Sequence, residues 1–369
     1  VPGREILPVS ESLSKKVRRD FGSSWCKYTR LTKVYTSEVR EKRYTFASII
    51  KNSENPMKAF TVNEPGDSSR LQLIDLPVPA ITDDEVLIQV KAISINPVDV
   101  KTRAGKGIYG RIKDQSPLIP GWDVSGIVSE VGKHVTQFKP GDEVVGMVNF
   151  PGHGKAYAEY VAAPVAHLAH KPQNISHAEA AAATLAALTA WQALVHTVNV
   201  KPTDKVLIHA AAGGVGHYAV QIAKHLGAFV IGTSSLANKD FVLSLGANEH
   251  LDYQAQPFEA VATDADVVLD AAGGETTFRS LDALKPGGRL VGILGGGNEA
   301  FMEKATAKHI DATFILVQSN GDDMAQLADL LAKGILKSHV SHTFPFEQMA
   351  AAHAQVETGH TVGKVVVTL

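Results

Sequence analysis

The stretch Lys205 to Gly227, KVLIHAAAGGVGHYAVQIAKHLG, limits the fold of this chain more than any other. Val206, Leu207 and Ile208 form a continuous apolar run, the pattern of a strand covered on both faces of a parallel sheet. From Val215 the spacing changes, and Val215, Ala219, Ile222, Ala223 and Leu226 recur at helical intervals. Gly213, Gly214 and Gly216 separate the two patterns. Without Cβ atoms the chain turns sharply there and lets a pyrophosphate reach the N–H groups at a helix start. Glycines kept only for strand-to-helix packing are the plainer reading. Against it, a second apolar strand follows at Phe229 to Gly232, and strand and helix patterns alternate down to about Phe314, which is the context a dinucleotide site requires.

Charge and cysteine usage narrow the function. Residues 1–56 hold 12 Lys or Arg against 6 Asp or Glu, leaving the other 313 residues with 24 against 32, a net of -8. A mildly acidic body offers no basic face, so no nucleic-acid partner is expected. Cys26 is the single cysteine and lies in the basic leader, which excludes an internal disulfide and a cysteine-held zinc in the body. That usage fits a reducing compartment, and a cytoplasmic location is expected. No apolar run reaches the roughly eighteen residues of a membrane span.

Residues 1–56 lack sustained periodicity, whereas Met57 opens a clean strand, MKAFTV. They read as a poorly ordered leader or extension. The sharper alternative is a transit peptide and organellar import, against which stand Glu5, Glu11, Asp20, Glu38, Glu41 and Glu54, since such peptides are poor in acid.

Residues 57–178 read as a β-rich unit. Apolar stretches at 85–95, 124–131 and 144–148 are separated by Pro65-Gly66, Pro120-Gly121, Pro140-Gly141 and Pro151-Gly152, which predicts a partly closed barrel. Asn96 to Arg111 interrupts it as a helix turn followed by a mobile loop. Ser176 and Glu179 form a capping box that starts an alanine-rich helix pair reaching His196. An amphipathic helix is expected over 322–336 and a final strand over 363–369. That strand has no neighbour in the alternating region, so 319–369 is assigned with 57–178, and 179–318 forms the α/β domain with right-handed crossovers.

The strand after the glycine turn distinguishes the two nicotinamide dinucleotides. An NAD site carries an Asp or Glu about 20 residues beyond the turn for the ribose hydroxyls. Here the strand ends Ile231-Gly232-Thr233-Ser234-Ser235 with no acid, and Lys239 follows. Hydroxyls and a cation accept a 2′-phosphate that a carboxylate repels, so NADP(H) is expected. The bland alternative has Ser234 and Ser235 capping the next helix and Lys239 as a solvated charge.

Seven motifs now carry a resemblance: INPVDVKTRAG at 95–105, PLIPGWDVSGIVSEVG at 117–132, PGDEV at 140–144, LTAWQAL at 188–194, HAAAGGVG at 209–216, VVLDAAGG at 267–274 and GKVVV at 363–367. In these the chain resembles the zinc-independent, zeta-crystallin-like quinone oxidoreductases of the medium-chain dehydrogenase/reductase superfamily. The resemblance implies an α/β protein with a GroES-like β-barrel catalytic domain and a Rossmann doubly wound parallel-sheet cofactor domain, assembled as a homodimer. Zinc relatives place ligands where this chain has Asn96 and the Gly121-Trp122-Asp123 triplet, and their structural zinc needs cysteines absent here. Without that Lewis acid, alcohol oxidation is not expected. His153, His167, His170 and His177 form no tight ligand spacing with acids, so no metal site is expected.

The remaining acceptors are a quinone or an α,β-unsaturated carbonyl, which delocalise charge onto oxygen as hydride arrives. The alternatives are an enoyl-thioester reductase and an NADPH-binding protein without significant catalysis. By resemblance Asn96 and Asp99 flank the nicotinamide pocket, though an Asn-Pro turn is equally a plain Asx turn. Tyr109, in the loop, is a candidate proton donor or a packing residue. Thr189 matches a position near the nicotinamide and phosphates, or bonds back to its own helix. Tyr253 matches an adenosine-phosphate contact. With Gly213, Gly214, Val215, Gly216, Ser234, Ser235 and Lys239, the loop at Gly295 completes the expected cofactor site, since it follows the carboxyl end of a strand.

Overall fold

A computed structural model describes residues 56–369. Apart from Pro56, the expected leader and Cys26 lie outside the described residues. The strands fall into two lobes. One holds a six-stranded, all-parallel sheet in the spatial order Glu249–Asp252, Phe229–Ser234, Lys205–Ile208, Ala265–Asp270, Leu284–Gly292, Asp311–Phe314. In chain order that is 3-2-1-4-5-6, the doubly wound arrangement. Its continuous apolar runs have a simple cause. Val206, Ile208, Val230, Val267, Leu269 and Val291 pack on one face, and Leu207, Ile231, Leu251, Val268 and Leu290 on the other, so both sides of each pleat are covered.

The other lobe is organised by the eleven-residue strand Glu85–Ile95. Its first half pairs with Tyr160–Pro164 and its last residues with the terminal strand Lys364–Thr368, while Asp123–Val131 runs along the opposite edge. Register shifts near Val90 bend it, as bulges do, and the sheet curls toward a barrel. The terminal strand also pairs in parallel with Val340–Pro345, a strand the sequence reading did not anticipate. Met57–Val62 and Leu71–Leu76 form a separate hairpin-like pair.

Three local expectations need correction. The helix turn expected after Asn96 is the helix Pro97–Arg103, but the mobile loop expected beyond it holds a second short helix, Tyr109–Ile112. The later amphipathic helix runs Gly321–Ala332 and stops earlier than expected, with Gly334 at positive φ just beyond its end. Helix His177–Ala182 packs Ala181 and Ala182 on Ala92 and Val366, so its packing belongs to the barrel lobe although its sequence adjoins the α/β region.

Polar ties join the lobes. From helix Gly216–His225, the Tyr218 hydroxyl donates to Ser338 Oγ (2.8 Å) and Gln221 bonds both the N–H and the carbonyl of Lys337. Gly363 N–H donates to Ala212 O at 2.8 Å, placing the terminal strand against the glycine turn. Among the described residues no helix is long and apolar enough to cross a membrane.

Candidate active site

A cleft of about 280 Å³ opens between the lobes. Ile95, Asn96, Pro97 and Lys101 line one side; Ala210, Gly213, Gly214, Val215 and Gly216 line the other. Leu185, Ala186, Ile293, Leu294 and Val356 add apolar walls, and Thr361, Gly363 and Lys364 close the remainder.

The glycines do different work. A Cβ on Gly216 would lie 2.1 Å from Ala210 O and 2.8 Å from Ala211 Cα, so helix and strand meet there only without a side chain. Ala210 itself is held at φ 51°, a costly conformation for a residue with a Cβ. At Gly214 the nearest atoms to such a Cβ are Lys364 Cδ at 3.5 Å and Gly363 O at 3.6 Å, leaving an open cradle at the helix start. An unfilled backbone cradle at the N-terminus of a ten-residue helix fits a dinucleotide pyrophosphate.

Beneath the cleft floor lies a buried polar network. Asn96 is the N-cap of helix Pro97–Arg103, and Asp99, three residues on, closes a capping box by accepting Asn96 N–H at 2.6 Å. The Asn96 amide is fully engaged: Nδ2 donates to Asp123 Oδ2 (2.7 Å) and Ser94 O (3.4 Å), and Oδ1 accepts from Lys364 Nζ. Asp123 Oδ1 accepts from Leu185 N–H at 3.0 Å, and Lys364 Nζ also donates to Ile95 O at 3.3 Å. Lys364 is 2% exposed, and Asp99 and Asp123 are fully buried. Burial, with Asp123 alongside, pushes the Asp99 carboxyl up to about 8. Burial raises Asp123 too, while Lys364 lowers it; Lys364 itself is pushed down by burial against the pull of both carboxylates. Burial thus favours the protonated form of Asp99, while the Lys364 ammonium and the Asp123 carboxylate each favour the charged form of the other.

The structure brings Asn96 and the glycine turn into one cleft and places the other expected residues elsewhere. Asp99 does not line it: burial and its capping bond turn it inward. Tyr109 packs half-buried against the barrel core. Thr189 bonds back to Leu185 O at 2.7 Å, and residues one turn earlier, Leu185 and Ala186, line the cleft instead. Gly295, at φ 88°, lies just past the lining residues Ile293 and Leu294. Ser234, Ser235, Lys239 and Tyr253 gather at the tip of strand Phe229–Ser234, where Lys239 is exposed and Tyr253 is 57% exposed. Sequence reasoning missed Lys364, Lys101 and the role of Asp123. A lysine opening an otherwise apolar terminal strand was the available signal for the first.

At the former zinc-ligand positions, Trp122 is fully buried, donates Nε1–H to Gly152 O at 2.7 Å and stacks edge-on to Phe150. Among the described residues no three His, Cys, Asp or Glu side chains converge to hold a metal ion.

The family model described as Alcohol dehydrogenase GroES-like domain matches residues 82–173, and that described as Zinc-binding dehydrogenase matches 245–367. A chloroplastic NADPH-dependent alkenal/one oxidoreductase of Arabidopsis thaliana is 36% identical, over 84% of this chain and 79% of the relative. A chloroplast envelope quinone oxidoreductase homolog of the same plant is 34% identical, over 82% of this chain and 95% of the relative. The solved quinone oxidoreductase from Coxiella burnetii is 38% identical with a TM-score of 0.81, covering 85% of this chain and 100% of that one. With a doubly wound sheet, a barrel lobe, a glycine-lined cleft and Asn96 and Trp122 in place of metal ligands, the chain belongs to the zinc-independent quinone oxidoreductase branch of the medium-chain dehydrogenase/reductase superfamily.

Proposed function

We propose that this protein is an NADPH-dependent, zinc-independent reductase that transfers hydride to a quinone or an α,β-unsaturated carbonyl. The carrying observation is that one cleft is lined by both the glycine turn and the Asn96–Lys364 pair. When bound, NADPH supplies the hydride. The turn at Gly213 to Gly216 receives the pyrophosphate, and Leu185, Ala186, Ile293 and Leu294 exclude water from the transfer zone. An ammonium has three donors; Lys364 uses two internally and has one N–H for a group bound in the cleft. Asn96 acts as a positioning residue, its amide bridging Lys364 and Asp123. NADPH preference rests on Ser235 and Lys239 at an acid-free strand tip. Names of the matched relatives also favour it, because they include an NADPH-dependent alkenal/one oxidoreductase.

A homodimer joined along the edge strand Asp311–Phe314 belongs to the same reading. That strand ends the six-stranded sheet, and the unpaired edge of a sheet is a template for a second copy. Chloroplastic and mitochondrial names among the relatives favour organellar import over the cytoplasm.

The test is a panel of quinones, enones and an enoyl-CoA, followed by NADPH oxidation. Turnover of quinones or enones is expected; turnover of the thioester alone would reassign the substrate. In Lys239→Glu, KM for NADPH is expected to rise about 10–100-fold, the worth of a hydrogen bond to a charged group, with NADH little changed. Equal losses for both cofactors would remove Lys239 from the phosphate site.

A further inference from the structure

The expected phosphate ligand Ser234 is already occupied. Its hydroxyl donates to Ser235 O at 3.0 Å and lies 2.8 Å from His250 Nε2. Nε2 is thus the ring nitrogen that faces the serine and ties the imidazole to the strand end. His250 stands on the neighbouring parallel strand, Glu249–Asp252, where Asp252 is opposite Ser234 in register.

Beside this half-buried ring sit three groups suited to a phosphate. Lys239 is exposed, Ser235 Oγ accepts from Asn238 Nδ2 at 3.2 Å and keeps its own proton to donate, and Tyr253 follows the strand. Among charged groups facing the imidazole, Lys239 disfavours its protonation and Asp252 favours it; burial disfavours it most, and the Ser235 carbonyl favours it. A phosphate dianion reverses the balance, since it neutralises Lys239 and adds its own charge.

We propose that His250 is a specificity-determining residue for the adenosine 2′-phosphate: anchored by Ser234, it takes up one proton from solvent as NADPH binds and none as NADH binds. The proposal rests on the reading of this strand tip as the 2′-phosphate site. NADPH preference then weakens as pH rises, because the proton becomes harder to acquire.

Calorimetric titration of NADPH into the full chain, in buffers of different ionisation heat at pH 7.5, reads proton uptake directly. At that pH the phosphate, with a second pKa near 6, is mostly dianionic and contributes little. Wild type is expected to take up a substantial fraction of a proton with NADPH and almost none with NADH. His250→Gln retains a donor for Ser234 but cannot gain a proton. It is expected to abolish the uptake and lower the NADPH-over-NADH ratio of kcat/KM about tenfold at pH 6, the worth of one charge-assisted hydrogen bond, while the thermal midpoint without cofactor stays at the wild-type value and certifies folding. Unchanged uptake in His250→Gln would overturn the proposal. If Lys239→Glu lowers the ratio and His250→Gln does not, the phosphate site stands without His250; if neither lowers it, the site reading itself fails.

Discussion

Lys364→Met is expected to lower stability by about 3–5 kcal/mol, the usual cost of leaving a buried charge uncompensated. The ammonium is 2% exposed and held by Asn96 Oδ1 and Ile95 O. Without it, Asp123 keeps donors from Asn96 Nδ2 and Leu185 N–H but loses its balancing charge. Urea unfolding measures the loss. Adding Asp123→Asn to Lys364→Met should recover much of it, because the uncompensated carboxylate goes too. Catalysis should not recover: kcat is expected to stay about 100-fold down, the scale for removing one preorganised donor from a site where charge develops. A single variant within about 1 kcal/mol of wild type, the scale of an exposed ion pair, would mean that Lys364 is not the balancing charge.

Gly216 and Gly214, separated by Val215, should respond differently to the same substitution. In Gly216→Ala the new methyl would meet Ala210 O at 2.1 Å and Ala211 Cα at 2.8 Å, both backbone atoms that cannot rotate aside. Overpacking of this kind costs about 1–3 kcal/mol or more, and the shift it forces opens the turn, so NADPH affinity should fall as well. Gly214→Ala meets nothing nearer than 3.5 Å, ordinary contact, so its stability should match wild type within about 0.5 kcal/mol. Its methyl points into the cleft, and NADPH binding should weaken about tenfold or more through lost approach to the backbone. Thermal midpoints and NADPH fluorescence titrations separate the two. If Gly216→Ala unfolds like wild type, close helix-to-strand approach is not what that glycine provides.

The α/β lobe was legible because its signals are local. Runs such as Val206 to Ile208 record burial on two faces, and the glycines mark the turn at the first of them. The capping role of Asp99 was overlooked, although Asn96, a proline next and an acid three residues on spell a helix start, because the resemblance set Asp99 beside the nicotinamide. What spacing could not reveal is which side chains are already satisfied. Asn96 finds its partners 27 and 268 residues away in Asp123 and Lys364, so a residue that looked free for substrate is consumed by the interior. Ser234 is similar, its hydroxyl held by a histidine 16 residues on. Lys364 escaped notice for the opposite reason, since charge at the start of an apolar strand ordinarily means a solvated edge, and here the strand pairs on both sides.

The expected chemistry is direct hydride transfer from NADPH to a conjugated acceptor at a site whose cation is Lys364. NADPH deuterated at both C4 positions, incubated with the protein and an enone in the presence of a strong chelator, tests it in one experiment. One deuterium is expected on the β-carbon of the saturated product, with an unchanged rate when the chelator is omitted. A product without carbon-bound deuterium, or turnover that stops with the chelator, would contradict it.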